Sequence, residues 1–152
     1  QVLGCDLAYM GTKFIATHES LAALDYKHML VSTEMDDVLL TQAFTGLDTN
    51  MLKPSIIAAG LDPANLPARV SIEAASKIFG HEAPQPGPRR YKDIWSAGHS
   101  VSGVTHAQST AELIEQTVRE YQEARRQTIR EFQDTFRSRS EDVNLVSKRD
   151  LP

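Results

Sequence analysis

Met10-Gly11-Thr12-Lys13 closes a short apolar run, Leu7-Ala8-Tyr9-Met10, and is followed at once by Phe14-Ile15-Ala16. Glycine lets backbone N–H groups approach a ligand closely, threonine adds an N–H and a hydroxyl, and lysine adds a cation. An anion such as phosphate needs this set, because hydrogen bonds to a charged acceptor are about twice as strong as neutral ones. The same residues also make an ordinary turn between a strand and a helix. Residue type alone leaves both readings open. Lys13 either reaches the anion or points to solvent, which is the usual place for a lysine.

A second group lies in YKDIWSAGHSVSGV, residues 91–104. Ser96 offers a hydroxyl, and Gly98 and Gly103 allow the loop to lie against a flat ring system without a side-chain clash. Trp95 either packs beneath such a ring or anchors the loop to the core. Histidine can serve as an acid–base group near neutral pH, but a lone histidine on a loop, such as His99, is usually solvated. Asp36-Asp37 and Glu141-Asp142 are adjacent, so neither pair shares a face of a helix or strand and neither is an acid–base dyad. One cysteine and scattered histidines give no zinc spacing. Cys5, placed before a buried strand, reads as an inert core thiol. Glu19 is suited to a helix N-terminus, and Arg125, Arg126 and Arg130 read as a solvated helix face.

These residues need a scaffold. Residues 1–31 read as strand, loop and helix: Leu7–Met10 is a near-continuous apolar strand, and the helix is expected from about Glu19 to Val31, with Leu21 and Leu24 on its apolar stripe and Lys27-His28 on its polar face. Residues 32–90 form a mostly helical region. There DDVLLTQAFTG (36–46) is a candidate strand ending at Gly46, and Pro54 starts a short helix over 55–59. SIEAASKIFG (71–80) is a helix with Ile72, Ala75 and Ile78-Phe79 on one side and Gly80 at its end. HEAPQPGPRR is a linker. Residues 91–136 hold the structured loop and a long helix opening on a capping box, Ser109 with Glu112, its stripe Ile114, Val118, Tyr121, Ala124-Arg125, Thr128 and Phe132. Residues 137–152, charged and aperiodic, are expected to be a disordered tail.

At 152 residues, with 41% hydrophobic and 24% charged, the chain suits a soluble domain with its own core. A net charge of −4 argues against nucleic acid as the main partner, and no apolar run approaches a membrane span. QVLGCDLAYM lacks the charged start and long apolar run of a secretory signal. With Gln1 first, the chain is expected to begin inside a longer protein.

In order, GCDLAYMGTKFIATHES (4–20), TQAFTG (41–46) and YKDIWSAGHSVSGV resemble three segments of the nitronate monooxygenase (2-nitropropane dioxygenase) family, over about residues 1–122. The resemblance implies an α/β fold: the C-terminal fragment of an FMN-binding (β/α)8 TIM barrel with a small, mostly helical substrate region. It implies a cytoplasmic flavoenzyme that oxidises alkyl nitronates with O₂, with no nucleic-acid or membrane partner. Tyr9, Met10, Gly11 and Thr12 would bind the FMN phosphate, backed by a helix dipole, and Ser96 would bond the flavin ring. Lys13 replaces the family's usual Arg, Leu47-Asp48 its Arg-Pro, and His99-Ser100 its Gln-Gly. A whole barrel takes about 250 residues, and the family's catalytic base lies on an earlier strand that no residue here matches. The catalytic and metal assignments within this chain are therefore none. Two other expectations stand beside this one: a flavin-dependent enoyl-acyl-carrier-protein reductase, which has a similar loop, and a non-catalytic truncated remnant whose long helix binds a partner.

Overall fold

The computed structural model describes residues 6–80 and 87–149, with side chains as far as residue 137. It divides into two units, Gln1–Thr110 and Ala111–Pro152. Helices α1 (Thr12–Ile15), α2 (Leu24–Ser32), α3 (Lys53–Ala58) and α4 (Ile72–Phe79) surround an antiparallel hairpin of β1 (Val38–Thr41) and β2 (Thr49–Leu52). The architecture is mixed α/β with one two-stranded sheet, and the described residues do not form a barrel.

Strand β2 organises the first unit. Successive side chains of a strand point to opposite faces, and here each face meets its own core. Met51 packs with Ala43, Phe44, Ile56, Phe79 and Ile94. Leu52 packs with Ala16, Leu30, Ala97, Val101 and Val104. Phe44 and Phe79 meet edge to face at 4.9 Å, a pairing worth about 1 kcal/mol beyond burial.

The expected strand over 36–46 is shortened to β1, because Thr41 Oγ1 accepts the Ala43 N–H at 3.1 Å and the chain turns inward. Gly46, at φ 77°, then reverses it, and its N–H reaches the Gln42 carbonyl at 2.9 Å. Helix α3 starts with Pro54 in its first turn, as read from the sequence. Helix α4 is also as expected, its Ser71 cap accepting from the Ala74 N–H, a bond typically worth about 1 kcal/mol. Its buried side is narrower than the pattern implied: Ala75 and Phe79 are buried, whereas Ile72 and Ile78 are exposed.

Three readings of the first thirty residues change. Residues 7–10 form no strand, and Tyr9 is fully exposed at 102%. Strand pairing needs a neighbour, and the described residues offer none to this segment. The helix expected from Glu19 begins at Leu24, after the loop 16–23. Lys27 is buried rather than on a polar face: its Nζ donates to the Ser20 carbonyl at 2.7 Å and to the His18 carbonyl at 3.2 Å. These bonds hold the loop around Glu19, whose carboxylate accepts from the Thr110 N–H at 2.9 Å and from the Thr110 hydroxyl at 3.1 Å.

Thr110 opens α5 (Thr110–Arg149), so Glu19 caps a helix 91 residues away in sequence. In the second unit α5 continues past Phe136 through the stretch expected to be disordered, and residues 150–152 lie outside the described residues. Ile114, Val118, Tyr121, Ile129, Phe132 and Phe136 are exposed along it. Among the described residues no helix is long and apolar enough to cross a membrane. Cys5 and most of HEAPQPGPRR, residues 81–86, lie outside the described residues.

Two tests follow from these turns. A Cβ at Gly46 would sit 2.6 Å from the Ile72 backbone nitrogen, whereas one at Gly60, φ 78°, would meet nothing within 4 Å. Gly46→Ala is therefore expected to lower Tm by roughly 5–10 °C, and Gly60→Ala by about 3 °C from backbone strain alone. Equal losses in thermal melts would show that Ile72 yields without cost.

The Glu19 carboxyl is held below the ordinary carboxylate range by backbone hydrogen bonds, first its own and then that of Thr110. A lowered folded-state pKa contributes stability above the ordinary range and loses it as pH falls through the lowered value. Helical circular dichroism should therefore fray on acidification below about pH 4, and Glu19→Gln should remove that component of the pH dependence.

Candidate functional site

Gly11 and Thr12 meet Ser96, Ala97 and Gly98 across a shallow cavity of about 300 Å³, which Ile15, Thr49 and Asn50 also line. Two of the motifs singled out in the sequence thus come together. One hydrogen bond joins them: the Gly98 N–H donates to Thr12 Oγ1 at 2.9 Å. Thr12 is buried, and its hydroxyl proton remains available to an acceptor in the cavity.

Position 96 is fixed by three devices. Met51 and Ser96 form an isolated antiparallel bridge, and the Leu52 N–H donates to the Trp95 carbonyl at 2.9 Å. The segment 91–104, here termed the closing segment, therefore lies along the free edge of β2 at Trp95 and Ser96. Behind it, the fully buried Ser55 hydroxyl donates to the Leu52 carbonyl at 2.8 Å and accepts the Trp95 N–H at 2.9 Å. Tyr26 stacks on Trp95 at 5.0 Å and 12°, and its hydroxyl donates to the Ser96 carbonyl. Burial is the main cause that pushes the Tyr26 hydroxyl above its ordinary pKa, so it stays a neutral donor at physiological pH. Trp95 thus anchors the loop, its indole N–H donating to the Lys92 carbonyl at 2.9 Å.

The α1 side is built differently from the sequence expectation. The helix behind Gly11-Thr12 is a single turn, so little macrodipole stands there. Any hold on an anion must come from individual donors. Among the described residues the backbone N–H groups of Gly11 and Thr12 have no protein acceptor. Gly11 has φ −125°, and a Cβ there would meet nothing within 4 Å. Protein packing does not demand glycine at 11; the missing side chain leaves open space beside two unspent donors. A phosphate group fits that arrangement.

The other residues are placed as follows. Tyr9 and Met10 are exposed and do not line the cavity. Lys13 lies over Gly103, where a Cβ would come 2.9 Å from Lys13 Cε. His99 is exposed, at the start of a 3-10 turn, His99–Gly103. Thr49 and Asn50 carried no sequence signal, because only the hairpin register brings β2 beside Ser96. No group of three His, Cys, Asp or Glu residues that could hold a metal is present among the described residues.

No family model and no curated protein matches the chain. A solved structure of a FabK mutant from Thermotoga maritima is similar with a TM-score of 0.50 and 18% identity, over 80% of this chain and 36% of that chain. At that identity the likeness shows the fold alone. The chain spans about a third of the protein it resembles.

Thr12→Val keeps the shape and removes the acceptor of the Gly98 N–H. A buried donor left unpaired costs about 1–3 kcal/mol. The Gly98 amide is expected to exchange with solvent at least tenfold faster in Thr12→Val, while Thr12→Ser keeps its protection. Unchanged exchange would mean that the two segments hold together without this bond.

Proposed function

We propose that this chain is the C-terminal portion of an FMN-dependent oxidoreductase of the barrel class, and that the whole enzyme oxidises alkyl nitronates with O₂. One observation carries the reading. Two motifs, separated by 86 positions and joined at Thr12 and Gly98, converge on a cavity whose backbone donors are unspent. The fold likeness supports the barrel class. So do Leu7, Tyr9 and Leu21, which are 91%, 102% and 103% exposed, as expected where neighbouring strands would cover them.

In this reading the Gly11 and Thr12 N–H groups and the Thr12 hydroxyl hold the FMN phosphate. The hydroxyl does so while fastened to Gly98, so the grip and the closing segment move as one body. Ser96, held from behind by Tyr26 and the edge of β2, presents its side chain to the same cavity, and Asn50 adds an amide. When bound, FMN supplies the redox chemistry, taking electrons from the substrate and passing them to O₂. The base that manages the substrate's proton belongs to a part of the barrel outside this chain.

A second reading has its own support. A flavin-dependent enoyl-acyl-carrier-protein reductase would use the same phosphate grip, and the fold likeness to FabK is compatible with an enzyme other than a nitronate oxidase. The WSAG segment, with Ser96 at the cavity, favours nitronate oxidation.

The native full-length product should release FMN on denaturation and consume O₂ with propyl nitronate. Gly11→Val or Thr12→Val should raise its FMN Kd on the order of tenfold or more. NADH oxidation that depends on an enoyl thioester, with no nitronate turnover, would transfer the assignment to the reductase. The 152-residue chain alone should bind FMN weakly and turn nothing over; micromolar FMN affinity with turnover would overturn the fragment reading. Absence of flavin from the native product would sink both enzyme readings and leave the remnant.

A further inference from the structure

We infer that the turn Arg89–Lys92 forms a second anion site, separate from the Gly11-Thr12 cavity, that takes a phosphate or pyrophosphate group. Arg89, Arg90, Tyr91 and Lys92 line a cavity of about 400 Å³ together with Gly80. Three cations stand within four positions of a chain whose net charge is −4. One carboxylate, Asp93, faces them.

Asp93 forms an ion pair with Arg89 and so offsets one of the three cations. Its Oδ2 accepts the Arg89 backbone N–H at 2.8 Å and stays 3.7 Å from the guanidinium Nε, beyond hydrogen-bond reach. Arg89 Nε is buried without a hydrogen-bond partner, an arrangement that native interiors rarely tolerate. Arg90 is held in place by long bonds to the Phe44 carbonyl at 3.3 Å and to Ser76 Oγ at 3.4 Å. Opposite, the wall at Gly80 is bare backbone, because a Cβ there would lie 2.0 Å from the Ser76 carbonyl oxygen.

The backbone reports the same tension. Tyr91 has φ 63°, the one non-glycine residue with positive φ among the described residues. Glycine would reverse the chain there without strain. The strained conformation is pinned by the Tyr91 N–H donating to the Ile94 carbonyl at 2.8 Å and by the Asp93 and Ile94 N–H groups converging on the Arg89 carbonyl. A turn that served only to change direction would gain nothing from a strained tyrosine between like charges. An anion between those charges relieves their repulsion and gives Arg89 an acceptor, and the exposed Tyr91 ring offers a flat face beside it.

The group could arrive as free pyrophosphate or attached to adenosine, and the test separates the two. The single tryptophan, Trp95, bonds the Lys92 carbonyl through its indole N–H, so its fluorescence reports on this turn. Titration of the 152-residue chain with sodium pyrophosphate and with ADP should give saturable changes that weaken as NaCl is raised. Arg89→Gln and Lys92→Gln should each raise Kd on the order of tenfold, with Lys92→Arg restoring binding and Arg126→Gln on α5 changing nothing.

ADP binding tighter than pyrophosphate, with the surplus lost in Tyr91→Leu, would assign an adenosine-borne group; equal affinities would assign the inorganic group. Saturation with neither, or affinities unchanged by Arg89→Gln and Lys92→Gln, would overturn the site. FMN binding measured on the same variants should be unaltered, so failure here is distinct from failure of the flavin reading.

Discussion

A single buried hydroxyl ties the site to the fold. Ser55 Oγ gives its proton to the Leu52 carbonyl and takes the Trp95 N–H, 40 positions on. Without it, the Trp95 N–H would lose its acceptor at the seam between β2 and the closing segment, and an unpaired donor there costs more than the bond returns in water. With it, residues 94–96 lie along the edge of β2, and Ser96 is carried to the cavity. The two cores depend on the same seam, since Met51 and Ile94 face one of them while Leu52 and Ala97 face the other.

Local elements were legible where one residue type has one use. Pro54 opens α3, Ser71 caps α4 and Gly80 ends it, each for reasons that involve only neighbours in sequence. Gly11, Thr12 and Ser96 could be singled out as candidates by type, and the structure sets them around one cavity. What the sequence could not express was pairing. Leu7–Met10 has the composition of a buried strand, yet composition cannot supply the neighbour a strand needs. Lys27 has the polarity of an exposed face, yet two carbonyls from the loop before it draw its ammonium inward. Asn50 reaches the cavity only through the register of a hairpin, which no local pattern around it announces.

The two proposed anion sites differ in how they would hold charge. Around Gly11 and Thr12 the donors are backbone groups beside an open space, an uncharged cradle suited to a group that is bound and kept. At Arg89–Lys92 the donors are full charges on a strained turn, and such a hold weakens steeply with ionic strength. Residues 93–95 run between them, so any shift of the basic turn would have to pass Trp95 to reach Ser96. The stacked Tyr26 ring and the Ser55 hydroxyl resist that shift from the other side.

The bond between Thr12 and Gly98 spans 86 positions, and that distance has a consequence for the order of events on the ribosome. At roughly 5–20 residues per second, Gly11 and Thr12 emerge on the order of 4–17 seconds before their partner has been made. The hairpin, α3 and α4 close over short distances and can settle during that interval, whereas joining the two walls of the cavity must wait for residue 98. Maturation of the site is thus a late step of synthesis, set by translation rather than by the speed of any local element.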